Sequence, residues 1–225
     1  MKREKRRSPK AAKILIVDDH PLVRDRLKEL INNESDMKVC GEAEDCRGAL
    51  AAITATKPDL AVIDLTLKDS HGLDLLKDIR CQHSKLRTII VSMHDESLYA
   101  ERAMRAGANG YITKQEASRK ILEAIRQVLA GELYLSQQVA ALIVSKVASH
   151  PRARAGSDEE LLTDRELQVY ELIGRGQTTR QIAEQLRLNL STVETYRSRI
   201  KDKFNLPDGL ALTQRAVQWF ASKTP

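Results

Sequence analysis

Apolar positions in the first half of the chain alternate between two patterns. Short β-branched runs at 13–17, 37–42, 60–64, 87–92 and 110–112 predict strands. Between them, apolar residues at three- and four-residue spacing predict helices over 21–32, 46–56, 72–81, 98–106 and 115–130. Pro21 suits a first helical turn, which needs no N–H donor, and Gly107 and Gly131 fall where helix C-caps fall. Repeated βα units of this length predict an α/β, flavodoxin-like (βα)5 domain, doubly wound, with strand order 2-1-3-4-5.

The second half has no strand pattern. An amphipathic segment over 136–147 aligns Val139, Leu142, Ile143 and Val147, and 149–160 then breaks every periodicity. After Leu161, helices fit 164–174, 178–186, 190–204 and 209–222. The expected organisation is a basic tail (1–11), an α/β domain (12–133), a linker helix with a flexible linker (134–160) and an all-α four-helix domain (161–225).

With 225 residues, 42% of them apolar, the chain can build two cores. Its net charge of +6 is uneven. Lys2, Arg3, Lys5, Arg6, Arg7 and Lys10 crowd the N-terminus, the α/β region leans acidic, and the last region is basic again. The helical domain is therefore the one expected to meet nucleic acid. The tail reads as a disordered solubilising arm, with a contribution to DNA affinity through counterion release as the second reading. No apolar run approaches the roughly 18 residues of a membrane span, and no h-region follows the basic start, so no membrane contact or secretion is expected. Cys40, Cys46 and Cys81 have no metal-ligand spacing and read as reduced, partly buried thiols of a cytoplasmic protein.

A parallel sheet brings the carboxyl ends of its strands to one edge, where ligands bind. Four of the predicted strands end in, or lead directly into, polar groups: Asp18-Asp19, Asp64, Ser92 and Lys114. Three carboxylates, a hydroxyl and an amine in one cleft suit metal-assisted phosphoryl transfer onto an aspartate. Bringing a phosphoryl dianion to a carboxylate is repulsive, so a divalent cation held by Asp18 and Asp19 is required. Lys114 can meet a phosphoryl oxygen as a point charge, and Ser92 can donate to another.

In the helical region, Thr163 and Glu166 form a capping-box pattern ahead of an apolar face of Val169, Leu172 and Ile173. A second helix turns Ile182, Ala183 and Leu186 inward, and Asn189 can cap a third. Val193, Tyr196, Ile200 and Phe204 form that third helix's core stripe, opposite Glu194, Thr195, Arg197, Ser198 and Lys201. This is a helix-turn-helix whose reading helix enters the major groove of double-stranded DNA. Arg197, Arg199, Lys201 and Lys203 are the candidate phosphate contacts, and N-terminal residues including Thr192 the base contacts. Glu194 can accept from cytosine N4, or it only orients Arg197 or Ser198.

Residues 12–133 resemble the receiver domain of two-component response regulators. The motifs are Asp18-Asp19, Asp64 in V-I-D-L, Gly72, Ser92 in V-S-M-H, and Gly110 to Lys114. Residues 159–222 resemble the LuxR-type domain, through Leu162-Thr163-x-Arg165-Glu166, Ile182-Ala183-x-x-Leu186 and Thr192-Val193-Glu194-Thr195-Tyr196. Together they resemble the NarL/FixJ family. The resemblance implies transfer from a phosphohistidine of a sensor histidine kinase to Asp64, with Mg2+ held by Asp19, Asp64 and the Thr66 carbonyl and Asp18 acting directly or through water. It implies a Ser92–Tyr111 switch pair and tuning of phosphoryl lifetime at Thr66 and His94. It also implies a last helix that pairs two copies, so a homodimer when phosphorylated. Gln115 replaces the proline that many receivers carry after the lysine, an absence frequent in this subgroup.

The expected function is phosphorylation-controlled, sequence-specific DNA binding and transcription regulation. A regulator whose receiver serves only as a dimerisation module is the alternative. A haloacid-dehalogenase-like phosphatase would need an aspartate where Thr66 stands, so no enzyme is expected.

Overall fold

The computed structural model describes residues 11–67, 70–93, 96–148 and 158–222. The basic tail up to residue 10, His94 and residues 149–157 of the expected linker lie outside the described residues. Contacts divide the chain into two compact units, Met1–Val144 and Ser145–Pro225.

The first unit begins with β1 (Ala12–Val17), α1 (Pro21–Asn32), β2 (Met37–Ala43), α2 (Cys46–Thr56) and β3 (Leu60–Asp64). A hairpin of β4 (Thr66–Leu67) and β5 (Ser70–His71) leads into α3 (Gly72–Gln82). Then follow β6 (Arg87–Ser92), α4 (Glu96–Arg105), β7 (Gly110–Thr113) and α5 (Lys114–Leu129). An α6 helix (Gln137–Ala148) runs across the division between the units.

Five parallel strands form a sheet in the order β2-β1-β3-β6-β7, the expected doubly wound order once the hairpin is set aside. Helices cover both faces, which is why the strands are apolar almost throughout. On one face Ile14, Ile16, Val62, Ile89, Val91 and Ile112 pack with Leu27 and Ile31 of α1 and Ile121, Ile125 and Val128 of α5. The alternate residues Leu15, Ala61, Ile63 and Ile90 are equally buried and belong to the other face.

Several details differ from the sequence expectation. The β1–β2 pairing slips between Ile14 and Leu15. The β4–β5 hairpin is too short to leave a periodic signal. Asp158–Leu161, expected as linker, forms a one-turn helix, α7. Cys81 is exposed, whereas Cys40 and Cys46 are partly buried. After α5 the chain also returns to the sheet: Tyr111 N–H donates to the Tyr134 carbonyl at 2.9 Å, and Tyr134 N–H to the Asn109 carbonyl at 3.0 Å. Gly110 permits that approach, since a Cβ there would lie 3.2 Å from the Tyr134 Cβ.

The second unit contains α8 (Asp164–Gly174), α9 (Thr179–Leu186), α10 (Leu190–Phe204) and α11 (Gly209–Ala221). The expected capping box at Thr163 and Glu166 starts α8, and a second, Thr178 with Gln181, starts α9. Asn189 occupies the N-cap of α10, yet its side chain makes no cap bond. Tyr170 of α8 joins the three-helix core, its ring 5.2 Å from Phe204 and 5.1 Å from Trp219. Tyr196, expected in the core stripe, is only half-buried, while Val193, Ile200 and Phe204 are buried.

At the α8–α11 crossing a Cβ on Gly174 would sit 2.7 Å from both the Ala216 carbonyl oxygen and the Phe220 Cβ. One of these obstacles is backbone, so the helices would have to part. Gly174→Ala is expected to destabilise this unit by about 1–3 kcal/mol. Thermal unfolding monitored at Trp219 measures it, and an unchanged midpoint would show that α11 yields without cost.

Candidate functional site

Each strand of the parallel sheet delivers its last residues to the same edge. Asp18 follows β1, and its place is fixed by its N–H donating to the Ala43 carbonyl (3.1 Å) and by Arg24 Nη1 donating to its carbonyl (2.6 Å). Asp64 ends β3, level with Val91, and the chain turns at once as Leu65 N–H meets the Val91 carbonyl at 2.9 Å. Gly72 then passes so close that a Cβ would fall 2.2 Å from the Asp64 carbonyl oxygen. Only glycine fits there, which gives Gly72 a geometric reason for its place in the motif.

Asp18, Asp19 and Asp64 are all buried, and Lys114, at the start of α5, reaches two of them. Its Nζ lies 2.7 Å from Asp64 Oδ2 and 2.8 Å from Asp18 Oδ2. The other Asp64 oxygen, Oδ1, accepts from Thr66 N–H at 3.3 Å. His20, which sequence reasoning did not single out, brings Nδ1 to 2.6 Å from Asp19 Oδ1 and 3.2 Å from Asp18 Oδ1. Its adjacency to the acidic pair, at the N-cap of α1, was the available signal. Ligand atoms of Asp18, Asp19, His20 and Asp64 lie within 4.8 Å of one another, a cluster with the donors to hold a metal ion.

Two of the three buried carboxylates, Asp18 and Asp64, thus share the Lys114 ammonium. Burial pushes the Asp64 carboxyl up to about 6; Lys114 opposes the rise and Asp18 adds to it. Burial alone would lower the Lys114 ammonium, but Asp64 and Asp18 hold it above its ordinary value. Ser92 ends β6 beside Thr113 and is fully buried. Tyr111, opposite Ile90 on β7, is 1% exposed, so its ring already lies inside.

In the second unit α9, a turn at Arg187 and α10 form the helix-turn-helix. Glu194, Thr195, Ser198 and Arg199 are exposed on α10, and Thr192, Arg197 and Lys201 are partly so. Glu194 Oε2 lies 3.9 Å from Arg197 Nε, a loose pair one turn apart. Lys203 is engaged inside the domain: its Nζ lies 2.6 Å from Glu166 Oε2, which also caps Thr163 N–H at 2.8 Å. Burial alone would raise the Glu166 carboxyl, but Lys203 and Thr163 hold it below its ordinary value. No spacing rule in the sequence joins residues that far apart.

Known proteins share both halves. Residues 14–126 match the response regulator receiver domain, and residues 160–216 match the luxR family of bacterial regulatory proteins. The chain is 31% identical over 206 residues to the response regulator UvrY of Escherichia coli, covering 91% of this chain and 93% of that one. It is equally similar to the response regulator GacA of Pseudomonas aeruginosa, covering 92% and 95%. Among solved structures, a LuxR-family two-component response regulator from Aurantimonas is 35% identical, with a TM-score of 0.58 over 62% of this chain and all of that one. RcsB from Salmonella enterica serovar Typhimurium, bound to promoter rprA with the phosphomimetic BeF3−, gives 0.59 at 20% identity over 94% and 99%, a likeness of fold. A receiver fold with a buried acidic pocket, followed by a luxR-type helix-turn-helix, defines a DNA-binding two-component response regulator, a class of transcription factors and not of enzymes. The chain belongs to the NarL/FixJ family of these regulators. Among the described residues no helix is long and apolar enough to cross a membrane.

An Asp64 carboxyl raised above its unfolded value binds its proton more tightly in the native state. Native stability from this group is therefore lost as pH rises from about 4 through about 6. Asp64→Asn removes the penalised charge and is expected to stabilise the protein at pH 7 by about 1–3 kcal/mol, with a smaller gain at pH 5. Urea unfolding at the two pH values measures it; equal gains would contradict the assigned cause.

Proposed function

We propose that this regulator accepts a phosphoryl group on Asp64 from the phosphohistidine of a sensor histidine kinase, and that the phosphorylated form binds DNA as a homodimer. The observation that carries the reading is the Lys114 ammonium bridging Asp18 and Asp64 at 2.8 and 2.7 Å within a buried acidic cluster. In the transfer, a carboxylate oxygen of Asp64 bonds to phosphorus as the P–N bond breaks. The electron pair stays on the imidazole, which takes up a proton. Lys114 holds Asp64 ionised and oriented, then pairs with a phosphoryl oxygen; the Ser92 hydroxyl donates to another. Tyr111, whose ring is buried, would act as the aromatic member of the switch pair and follow the Ser92 hydroxyl.

Excess buried negative charge, with the Asp64 carboxyl pushed up, is the environment that a hard dication offsets. Asp19, Asp64 and the Thr66 carbonyl would hold Mg2+, with Asp18 directly or through water. When bound, the cation neutralises charge between the phosphoryl group and the carboxylates.

In the proposed domain plan the receiver spans 12–133, a linker with its helix 134–160, and the DNA-binding domain 161–225, after a basic tail. Thr192, Glu194, Thr195 and Ser198 would face bases of double-stranded DNA, with Arg197, Arg199 and Lys201 on phosphates. Lys203 would reach a phosphate only by leaving Glu166. RcsB, of the same fold, is known as dimers bound to DNA, a precedent for this arrangement. A cytoplasmic location follows from both partners.

Wild type incubated with acetyl phosphate and Mg2+ is expected to gain one phosphoryl by mass and to bind selected duplexes more tightly as a dimer. Asp64→Asn should show neither change while remaining folded. Equal DNA binding in all conditions would reduce the receiver to a dimerisation module. Because the Asp64 proton competes with the cation, Mg2+ affinity is expected to fall as pH drops below about 6. Calorimetric titration from pH 5 to 8 checks this, and a flat profile would place the cation elsewhere.

A further inference from the structure

The opposite edge of the sheet, where β3 and β6 begin, carries a groove of about 610 Å³ between the α2–β3 and α3–β6 turns. Its lining includes Lys57, Lys85, Arg87 and His83, and a single carboxylate, Asp59. That carboxylate is already engaged, Asp59 Oδ2 accepting from Lys13 N–H at 2.8 Å. Elsewhere in this acidic-leaning unit most cations sit on carboxylates: Lys28 on Glu42, Lys120 on Glu116, and Arg126 on Glu34 and Asp36. Lys57, Lys85 and Arg87 make no ion pair with any described residue, and Lys57 and Lys85 are exposed.

We propose that this edge is a second, sequence-independent nucleic-acid contact in which Lys57, Lys85 and Arg87 take phosphodiester oxygens of double-stranded DNA. It is separate from the α10 reading helix and does not depend on the role assigned to that helix. The apolar members of the groove decide against a peptide. Ile53 and Leu86 are 3% and 7% exposed, so a partner's apolar side chains would find little surface to bury. What remains open is positive charge, which suits a polyelectrolyte that releases counterions on binding.

The test is binding of the full chain to a random-sequence duplex across a salt series. It compares wild type with Lys57→Gln/Lys85→Gln/Arg87→Gln, each also carrying Arg197→Ala/Arg199→Ala. A charge-matched control, Arg47→Gln/Arg119→Gln/Lys120→Gln, alters cations at the start of α2 and within α5, outside the groove. The groove variant is expected to lower the slope of log K against log salt by about 3 in both backgrounds, with unfolding unchanged. The control should lower it by less than half as much. An unaltered slope, or an equal fall in the control, overturns the proposal. So does loss of binding to poly-glutamate alone with the duplex slope intact, which would assign the groove to an acidic protein. Failure of the reading-helix assignment would appear instead as an Arg197→Ala/Arg199→Ala protein that keeps its selected site.

Discussion

One ammonium group shared by two buried carboxylates organises the first unit. Lys114 arrives from the start of α5, Asp18 from the end of β1 and Asp64 from the end of β3, and no local rule joins them. They meet because parallel strands end on a common edge, and the parallel order holds because both faces of the sheet are covered with helices. Backbone closeness completes the arrangement, for the chain returns past Asp64 at a distance that excludes any side chain at Gly72. The pocket is left with more negative charge than Lys114 offsets, an imbalance that makes it receptive to a cation and to a phosphoryl group.

Most of this architecture was legible in the amino-acid order. The β-branched runs and their helical spacers led to the observed sheet order, because burial on both faces leaves strands too apolar to be mistaken for surface loops. Asp18, Asp19, Asp64 and Lys114 could be brought together on paper for the same reason: strand ends are positions that topology fixes. What stayed hidden was shorter or more distant than any period. A hairpin of two-residue strands after Asp64 and a one-turn helix at Asp158 leave no repeat to detect. Lys203 crossing to Glu166 is a tertiary contact of a single side chain, whereas His20 leaning onto its neighbour Asp19 is a local contact that no period marks. The Thr178–Gln181 box was readable from the same T-x-x-[EQ] spacing that marks Thr163–Glu166.

In the second unit, charge serves structure before it serves recognition. Glu166 closes the cap of α8 and at the same time holds Lys203 of α10, so the helix expected to read DNA is tied to the start of another. A basic residue on a reading helix is thus not automatically a phosphate contact. Glu171 and Arg175 make a similar internal pair, with Arg175 also lying over the Phe220 ring. The cations left over for a partner are fewer than the composition implies, and their position on α10 carries the information.

The return of the chain to β7 has a mechanical consequence. Tyr111 spends its amide on the Tyr134 carbonyl, and Tyr134 spends its own on Asn109, so a rung of hydrogen bonds replaces what would otherwise be slack. Residue 134 lies between α5 and α6, beyond the helices that cover the sheet, yet backbone bonds alone fasten it to β7. A backbone shift at Tyr111 must therefore carry Tyr134 with it or break the bond they share.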